Sequence, residues 1–193
     1  MKLTWLIKTE DPSFLLLSLD ETPWKEVQKS LFLPHLNVFR GANSLQEFEE
    51  RFSRLEVKLC KAAALRLLSI KGRFSQELRQ KLRLKLFSEK AIEFALHECE
   101  RFGYLNDIQA AEGLVRKLQR RGYGSRIIGA KLKASGAGGF QQGNEDPKPF
   151  ILQLMEKKYR QIPREKAIQA LLRRGFEYRS ILDALNSFET YKG

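Results

Sequence analysis

Three stretches of this chain repeat one order of apolar and polar positions. They read LSIKGRFSQELRQKL from Leu68 to Leu82, LQRRGYGSRIIGAKL from Leu118 to Leu132, and LLRRGFEYRSILDAL from Leu171 to Leu185. In register, each opens and closes on Leu, and each places a basic residue and Gly together: Lys71-Gly72, Arg121-Gly122 and Arg174-Gly175. Each then sets an aliphatic residue at Leu78, Ile128 or Ile181. The glycines are 50 and 53 residues apart, a period of repeated supersecondary units. Each phrase reads as helix, turn, helix. The Gly sits where a helix end takes a left-handed residue, and Ser75 and Ser125 three residues on are expected N-caps. Tyr178 holds that slot in the third copy, so that cap is missing there.

The period changes along the chain. Leu3, Trp5 and Ile7 alternate with polar neighbours and predict a half-buried strand, and Phe14 to Leu19 predicts a second. Glu10 to Ser13 between them is turn chemistry, so the pair is expected to form a hairpin, with a further short element opening at Thr22-Pro23-Trp24. From Ser44 the spacing becomes helical. Ser44 and Glu47 form a capping box ahead of Leu45, Phe48, Phe52, Leu55 and Leu59. The helix then runs on, or breaks and restarts, into Ala62 to Leu68. Ser88 is expected to cap a helix carrying Ala91, Ile92, Ala95, Leu96 and Cys99, ended by Gly103. Asp107 is expected to cap the next, with Ala110, Ala111, Leu114, Val115 and Leu118 inward. Residues 134–149, ASGAGGFQQGNEDPKP, read as a mobile loop replacing most of a third helix in the second repeat. Helix resumes at Phe150 with Ile151, Leu154 and Met155 inward, and Pro163 opens the last helical pair.

The fold expected is mainly α: tandem three-helix repeats in an elongated curved array, with a small N-terminal β segment. The divisions expected are a β hairpin-like segment over 1–43, a helical lead-in and first repeat over 44–106, a second repeat with its Gly-rich loop over 107–149, and a linking helix with a third repeat over 150–193.

Charge adds a candidate function. The 193 residues carry a net charge of +12. Residues 1–60 hold 8 Lys/Arg against 9 Asp/Glu, while residues 61–193 hold 27 against 14. A basic repeat region beside a near-neutral segment points to a polyanion, nucleic acid first. The candidate contacts are Arg79, Lys81, Arg83 and Lys85 around Leu78, Leu82 and Leu86; Arg116, Lys117, Arg120 and Arg121; Arg126, Lys131 and Lys133; and Arg173 and Arg174, with Arg179 beyond. Arg116 with Arg120, and Lys117 with Arg121, lie four apart on one helical face, where like charges repel unless an anion neutralises them. Phosphate contacts of this kind are independent of sequence and sensitive to salt. A solvated face that keeps the protein in solution has the same composition. Tyr123 and Phe176 follow the glycine in copies two and three. Such rings stack on bases in single-strand binders, but more commonly pack over the turn between two helices, as is expected of these two.

Other chemistry is sparse. His35 and His97 have no neighbouring ligand set, so no metal or cofactor is expected. No GxSxG, HExxH or P-loop occurs, and Gly122-Tyr-Gly124 follows a helix rather than a strand, so no enzyme is expected. Cys60 and Cys99 lie in amphipathic patterns and are expected to be buried thiols. Apolar runs such as Phe14 to Leu17 are too short to span a bilayer, and no secretion signal is read. A cytoplasmic location is therefore expected, and the protein is expected to be a monomer.

The phrase LSIKGRFSQELRQKL, the run RFGYLND from Arg101, GYGSRIIGAKLKASG from Gly122, and KKYRQ…KAIQALLRRGF ending at Phe176 together resemble the RecX family of bacterial regulators of the recombinase RecA. The resemblance covers about residues 56–186. It implies three-helix repeats in the groove of a RecA–DNA filament. It also implies inhibition of strand exchange and coprotease activity without catalysis, in DNA repair, recombination and the SOS response. The partners implied are the RecA filament and single- or double-stranded DNA, directly or through RecA. The alternative is a general nucleic-acid-binding protein that acts without RecA. The Gly-rich loop, and a third repeat that ends soon after Leu185, depart from the family pattern.

Overall fold

The computed structural model describes residues 2–8, 10–140, 143 and 146–190. Two compact units divide between Asn106 and Asp107.

In the first unit the alternating N-terminal segment forms a three-stranded antiparallel meander in the order β1 (Leu3–Ile7), β2 (Phe14–Leu19) and β3 (Thr22–Gln28). The expected hairpin is β1 on β2, with Leu3 opposite Leu19 and Ile7 opposite Leu15. Asp20 and Glu21 join β2 to β3 with both φ values positive (46° and 68°), the pattern of a tight two-residue hairpin turn. The register of β2 against β3 shifts at Leu17/Ser18. Leu15, Leu17, Leu19 and Val27 are buried. Trp5 and Ile7, expected half-buried, are exposed; β1 is an edge strand, and Leu3 is its one residue packed on the core.

A short helix α1 (Lys29–Phe32) and a 3-10 segment (Leu33–Phe39) lead to α2 (Leu45–Ile70), which runs unbroken for 26 residues. Its first turn is closed as the sequence predicts. The Ser44 hydroxyl accepts from Glu47 N at 3.2 Å, and the Glu47 carboxylate accepts from Asn43 N at 2.7 Å. Phe48, Phe52, Leu55 and Leu59 are buried, but Leu45 in the first turn is exposed. Trp24 meets Phe39, Phe48 and Phe52 edge-on, tying the sheet to this helix.

Helices α3 (Ser75–Arg83) and α4 (Glu89–Arg101) pack against α2. Ser88 caps α4 by accepting from Ala91 N, and the buried carboxylate of Glu56 accepts from both Ser88 N and Ser88 Oγ at 2.8 Å. Ala91, Ile92, Ala95, Leu96 and Cys99 enter one core with Cys60, Ala63 and Ala64 of α2. Both cysteines are buried free thiols. Leu86, expected to pack beside Leu82, is exposed instead, because α3 stops at Arg83 and the chain turns left-handed at Leu86 (φ 60°).

The second unit comprises α5 (Asp107–Arg120), α6 (Ser125–Ala134), α7 (Lys148–Leu154, extended by a π-helical turn Met155–Tyr159), α8 (Arg164–Arg173) and α9 (Tyr178–Thr190). Ala111 and Leu118 are buried on α5, while Ala110, Leu114 and Val115 are half-buried. Ile151, Leu154 and Met155 face inward as expected, in a core with Ala167, Leu171, Phe176, Ile181, Ala184 and Leu185. In the Gly-rich stretch α6 ends at Ala134 and helix resumes at Lys148; Gln141, Gln142, Asn144 and Glu145 lie outside the described residues. No helix among the described residues is long and apolar enough to cross a membrane.

Candidate functional site

The repeated phrase resolves into two kinds of turn. After α5 and α8 the chain closes in the expected way, with Gly122 at φ 77° and Gly175 at φ 88°. Gly122 N donates to Gln119 O and Tyr123 N to Leu118 O; Gly175 N donates to Leu172 O and Phe176 N to Leu171 O. These paired bonds satisfy carbonyls that a helix end leaves open. The first copy differs. Lys71 is extended (φ −160°, ψ 133°), and Gly72 is not left-handed and has open space around it. The expectation of one conformation at all three glycines is therefore corrected: α2 leaves through an extended residue and needs no left-handed one.

The N-caps are also shifted. Phe74 and Gly124 hold the cap positions of α3 and α6, so Ser75 and Ser125 are the first helical residues. Leu78 N, Ile128 N and Ile181 N donate to the carbonyls of Phe74, Gly124 and Glu177, the matching position of each copy.

The second and third turns dock on each other through their backbones. Gly124 N donates to Arg174 O at 2.8 Å and Arg126 N to Gly175 O at 3.2 Å. A Cβ on Gly124 would lie 2.4 Å from backbone atoms of Gly175 and Phe176, and one on Gly175 would lie 2.6 Å from Ile127 Cγ1. Arg174 closes the junction. Its Nε donates to Tyr159 Oη at 2.9 Å, its Nη1 donates to the carbonyls of Arg121 and Gly122, and its guanidinium lies 6.0 Å from the Tyr123 ring centre. Arg126 Nη2 donates to Leu172 O at 3.1 Å. Thus Arg126 and Arg174 hold two turns together within the unit. Gly124 and Tyr159 complete this junction. The only sequence signal for Gly124 is a glycine where the other copies carry Phe74 and Glu177.

Several basic candidates on α3 are likewise engaged. Arg79 pairs with Glu89 and Glu93, and Arg83 pairs with Glu89, across the α3–α4 turn. The hydrogen bonds from Arg83 and Arg79 hold the Glu89 and Glu93 carboxyls below the usual carboxylate range. Lys85 Nζ donates to Gln28 Oε1. Arg116 reaches Glu112 one turn back, at 3.8 Å. The remaining candidate cations are Lys81, half-buried, and the exposed Lys117, Arg120, Arg121, Lys131, Lys133, Arg173 and Arg179; none makes an ion pair among the described residues. Five of these lie on α5, its closing turn and α6. These five can attract an anion without first breaking a protein ion pair. No group of three or more His, Cys, Asp or Glu suited to a metal ion occurs among the described residues.

The chain is similar to known proteins in sequence and in fold. Residues 60–99 match the model of the RecX first three-helix domain. The regulatory protein RecX of Vibrio campbellii (strain ATCC BAA-1116) is 35% identical over 141 residues, which span 67% of this chain and 90% of that protein. The regulatory protein RecX of Caldanaerobacter subterraneus subsp. tengcongensis is 32% identical over 152 residues, 73% of this chain and 76% of that protein. With the Vibrio vulnificus (strain CMCP6) regulatory protein RecX the identity is 40% over 73 residues, and the chain spans about half of that relative's length (48%). The crystal structure of RecX from Lactobacillus salivarius has the same fold at a TM-score of 0.63 and 24% identity, covering 70% of this chain and 97% of that one. A second crystal structure, of a regulatory protein RecX, matches at a TM-score of 0.62 and 16% identity over 90% of this chain and 95% of that one.

Proposed function

Because the chain belongs to the RecX family of regulatory proteins, we propose that it binds RecA, or the filament RecA forms on DNA, and restrains recombinase and coprotease activity without catalysing a reaction itself. The observation that carries this reading is the set of exposed cations on α5 and α6, Lys117, Arg120, Arg121, Lys131 and Lys133, presented by a RecX-type fold. Their partner is an acidic protein surface, DNA phosphate, or both within one filament. Nothing in this role needs a nucleophile, a metal or a cofactor. The setting proposed is cytoplasmic DNA repair and recombination, including the SOS response.

The same cations would also suit bare DNA, so the second reading is a nucleic-acid binder independent of RecA. Salt separates the two. If all five cations contacted phosphates of a single strand, log K would fall with log salt with a slope of about −3.5. The direct test is RecA-driven strand exchange titrated with this protein and with a Lys117→Glu/Arg120→Glu/Arg121→Glu variant. The proposal expects stoichiometric inhibition by the native protein and loss of inhibition in the variant, with folding kept, because exposed helix charges change stability by only about 0.5 kcal/mol. No inhibition at stoichiometric excess of the native protein would overturn it.

A further inference from the structure

One feature of the first unit is unused by the basic surface. Phe94 (49% exposed), in the middle of α4, and Phe102 (54%) and Tyr104 (61%), in the RFGYLND run at its end, present large rings to solvent. Phe94 and Arg101 are seven residues apart, two helical turns, and so share one face of α4. The rings of Phe102 and Tyr104 lie 6.4 Å apart, centre to centre. Arg101 Cζ is 4.6 Å and Lys61 Nζ 5.2 Å from the Phe102 ring centre. Both cations are fixed by one carboxylate: Lys61 Nζ and Arg101 Nη2 each lie 2.9 Å from an oxygen of Glu98, which is buried. Phe102 and Tyr104 are therefore an adjacent pair of exposed rings with two ion-paired cations beside them, and Phe94 lies two turns back on the Arg101 face of α4.

That chemistry differs from the surface of α5 and α6. A phosphate backbone is bound by cations free to shed counterions, whereas Lys61 and Arg101 are already committed to Glu98 and to the face of Phe102. Exposed aromatic rings beside an oriented arginine are instead the composition of protein-binding hot spots, where a ring enters a recess and rim charges set orientation. Two cations on one carboxylate leave a surplus positive charge at the rim. The complementary surface is apolar at its centre and acidic at its edge.

We infer that Phe94, Phe102 and Tyr104 form a protein-docking surface, which seats in an apolar recess rimmed by carboxylates on the protein partner. This rests on the reading that the partner is RecA and divides the labour within it: aromatic rings of the first unit contact protein, while the cations of the second unit contact the polyanion.

The test compares the native chain, a Phe102→Ala/Tyr104→Ala variant and a Phe94→Ala variant. Binding is measured by fluorescence anisotropy to bare single-stranded DNA and to the same strand coated with RecA. Because the rings are exposed, folding should persist. Phe94→Ala lies outside the Glu98 ion cluster and serves as the second probe should that cluster rearrange. The expected result is a loss of tenfold or more in affinity for the coated strand with each variant, with bare-strand affinity unchanged within twofold. Equal losses on both would make the rings a base-stacking platform and overturn the inference, as would full retention on the coated strand. Failure of the native chain to bind the coated strand at all would overturn the RecA reading itself, and the inference with it.

Discussion

Gly72 and Gly175 occupy one slot of the repeated phrase, yet Ala should act oppositely at the two. At Gly175 the backbone is left-handed, which costs an L-residue about 1–2 kcal/mol. The new Cβ would also lie 2.6 Å from Ile127 Cγ1 and 2.8 Å from Ile127 N. Backbone is slow to yield, so overpacking adds about 1–3 kcal/mol and strains the bond from Arg126 N to Gly175 O. The narrower unfolded ensemble of Ala returns about 0.4–1 kcal/mol, leaving a net loss of about 1–5 kcal/mol for Gly175→Ala. At Gly72 the residue is not left-handed and nothing lies within 4 Å of the added carbon, so Gly72→Ala should be neutral or stabilising by up to about 1 kcal/mol. Amide hydrogen exchange read separately over the two units checks this, since it reports local opening free energies. Gly175→Ala should lower protection in α7, α8 and α9 by about fivefold or more, at tenfold per 1.4 kcal/mol, with α2 and α4 unchanged. Protection within threefold of the native protein in α8 and α9, or a comparable loss from Gly72→Ala, would contradict this.

Leu86 closes α3 in the same bonding pattern as Gly122 and Gly175, with Leu86 N donating to Arg83 O and Phe87 N to Leu82 O. Leu86→Gly relieves the left-handed cost but widens the unfolded ensemble, so a net gain of about 0.5 kcal/mol is expected in urea unfolding of the first unit; a loss above about 1 kcal/mol would contradict it. The Cys60 thiol is pushed up to about 12, first by burial and then by Glu56, so it is a neutral thiol at pH 7. It should resist alkylation until the first unit unfolds, as peptide mass spectrometry after timed labelling would show; labelling at the rate of an exposed cysteine would contradict its burial. Glu98 is held below the usual carboxylate range, first by its hydrogen bond from Lys61, with Arg101 adding to it. A lowered native pKa means that its stabilisation is present above the ordinary carboxylate value and is lost as pH falls through the native one. Glu98→Gln should therefore flatten the acid limb of the stability profile; an unchanged limb would contradict this.

What the sequence made legible is local. The Ser44–Glu47 box, the Ser88 cap, the inward stripes of α2, α4 and α7, and the burial of both cysteines depend on residues within a turn or two of each other. What it hid depends on distant partners. Arg174 and Arg126 look like surface charge because their acceptors, Tyr159, Gly122 and Leu172, are brought to them by the docking of turns about fifty residues apart. Arg79 and Arg83 look free because Glu89 and Glu93 reach them only when the α3–α4 turn folds back. Gly72 matches its counterparts in sequence, yet lies at the end of a 26-residue helix that leaves through an extended residue. Among the candidates, those with neither an ion pair nor a side-chain hydrogen bond among the described residues are mostly on α5, its closing turn and α6, with Lys81, Arg173 and Arg179 outside that stretch.

Binding to bare and to RecA-coated single-stranded DNA, each at two salt concentrations, tests the central proposal most directly. Tight, stoichiometric binding to the coated strand and weak binding to the bare strand are expected, with loss of the former when Lys117, Arg120 and Arg121 are reversed. Equal affinity for both strands, falling with log salt at a slope of about −3.5, would contradict it and leave a general nucleic-acid binder.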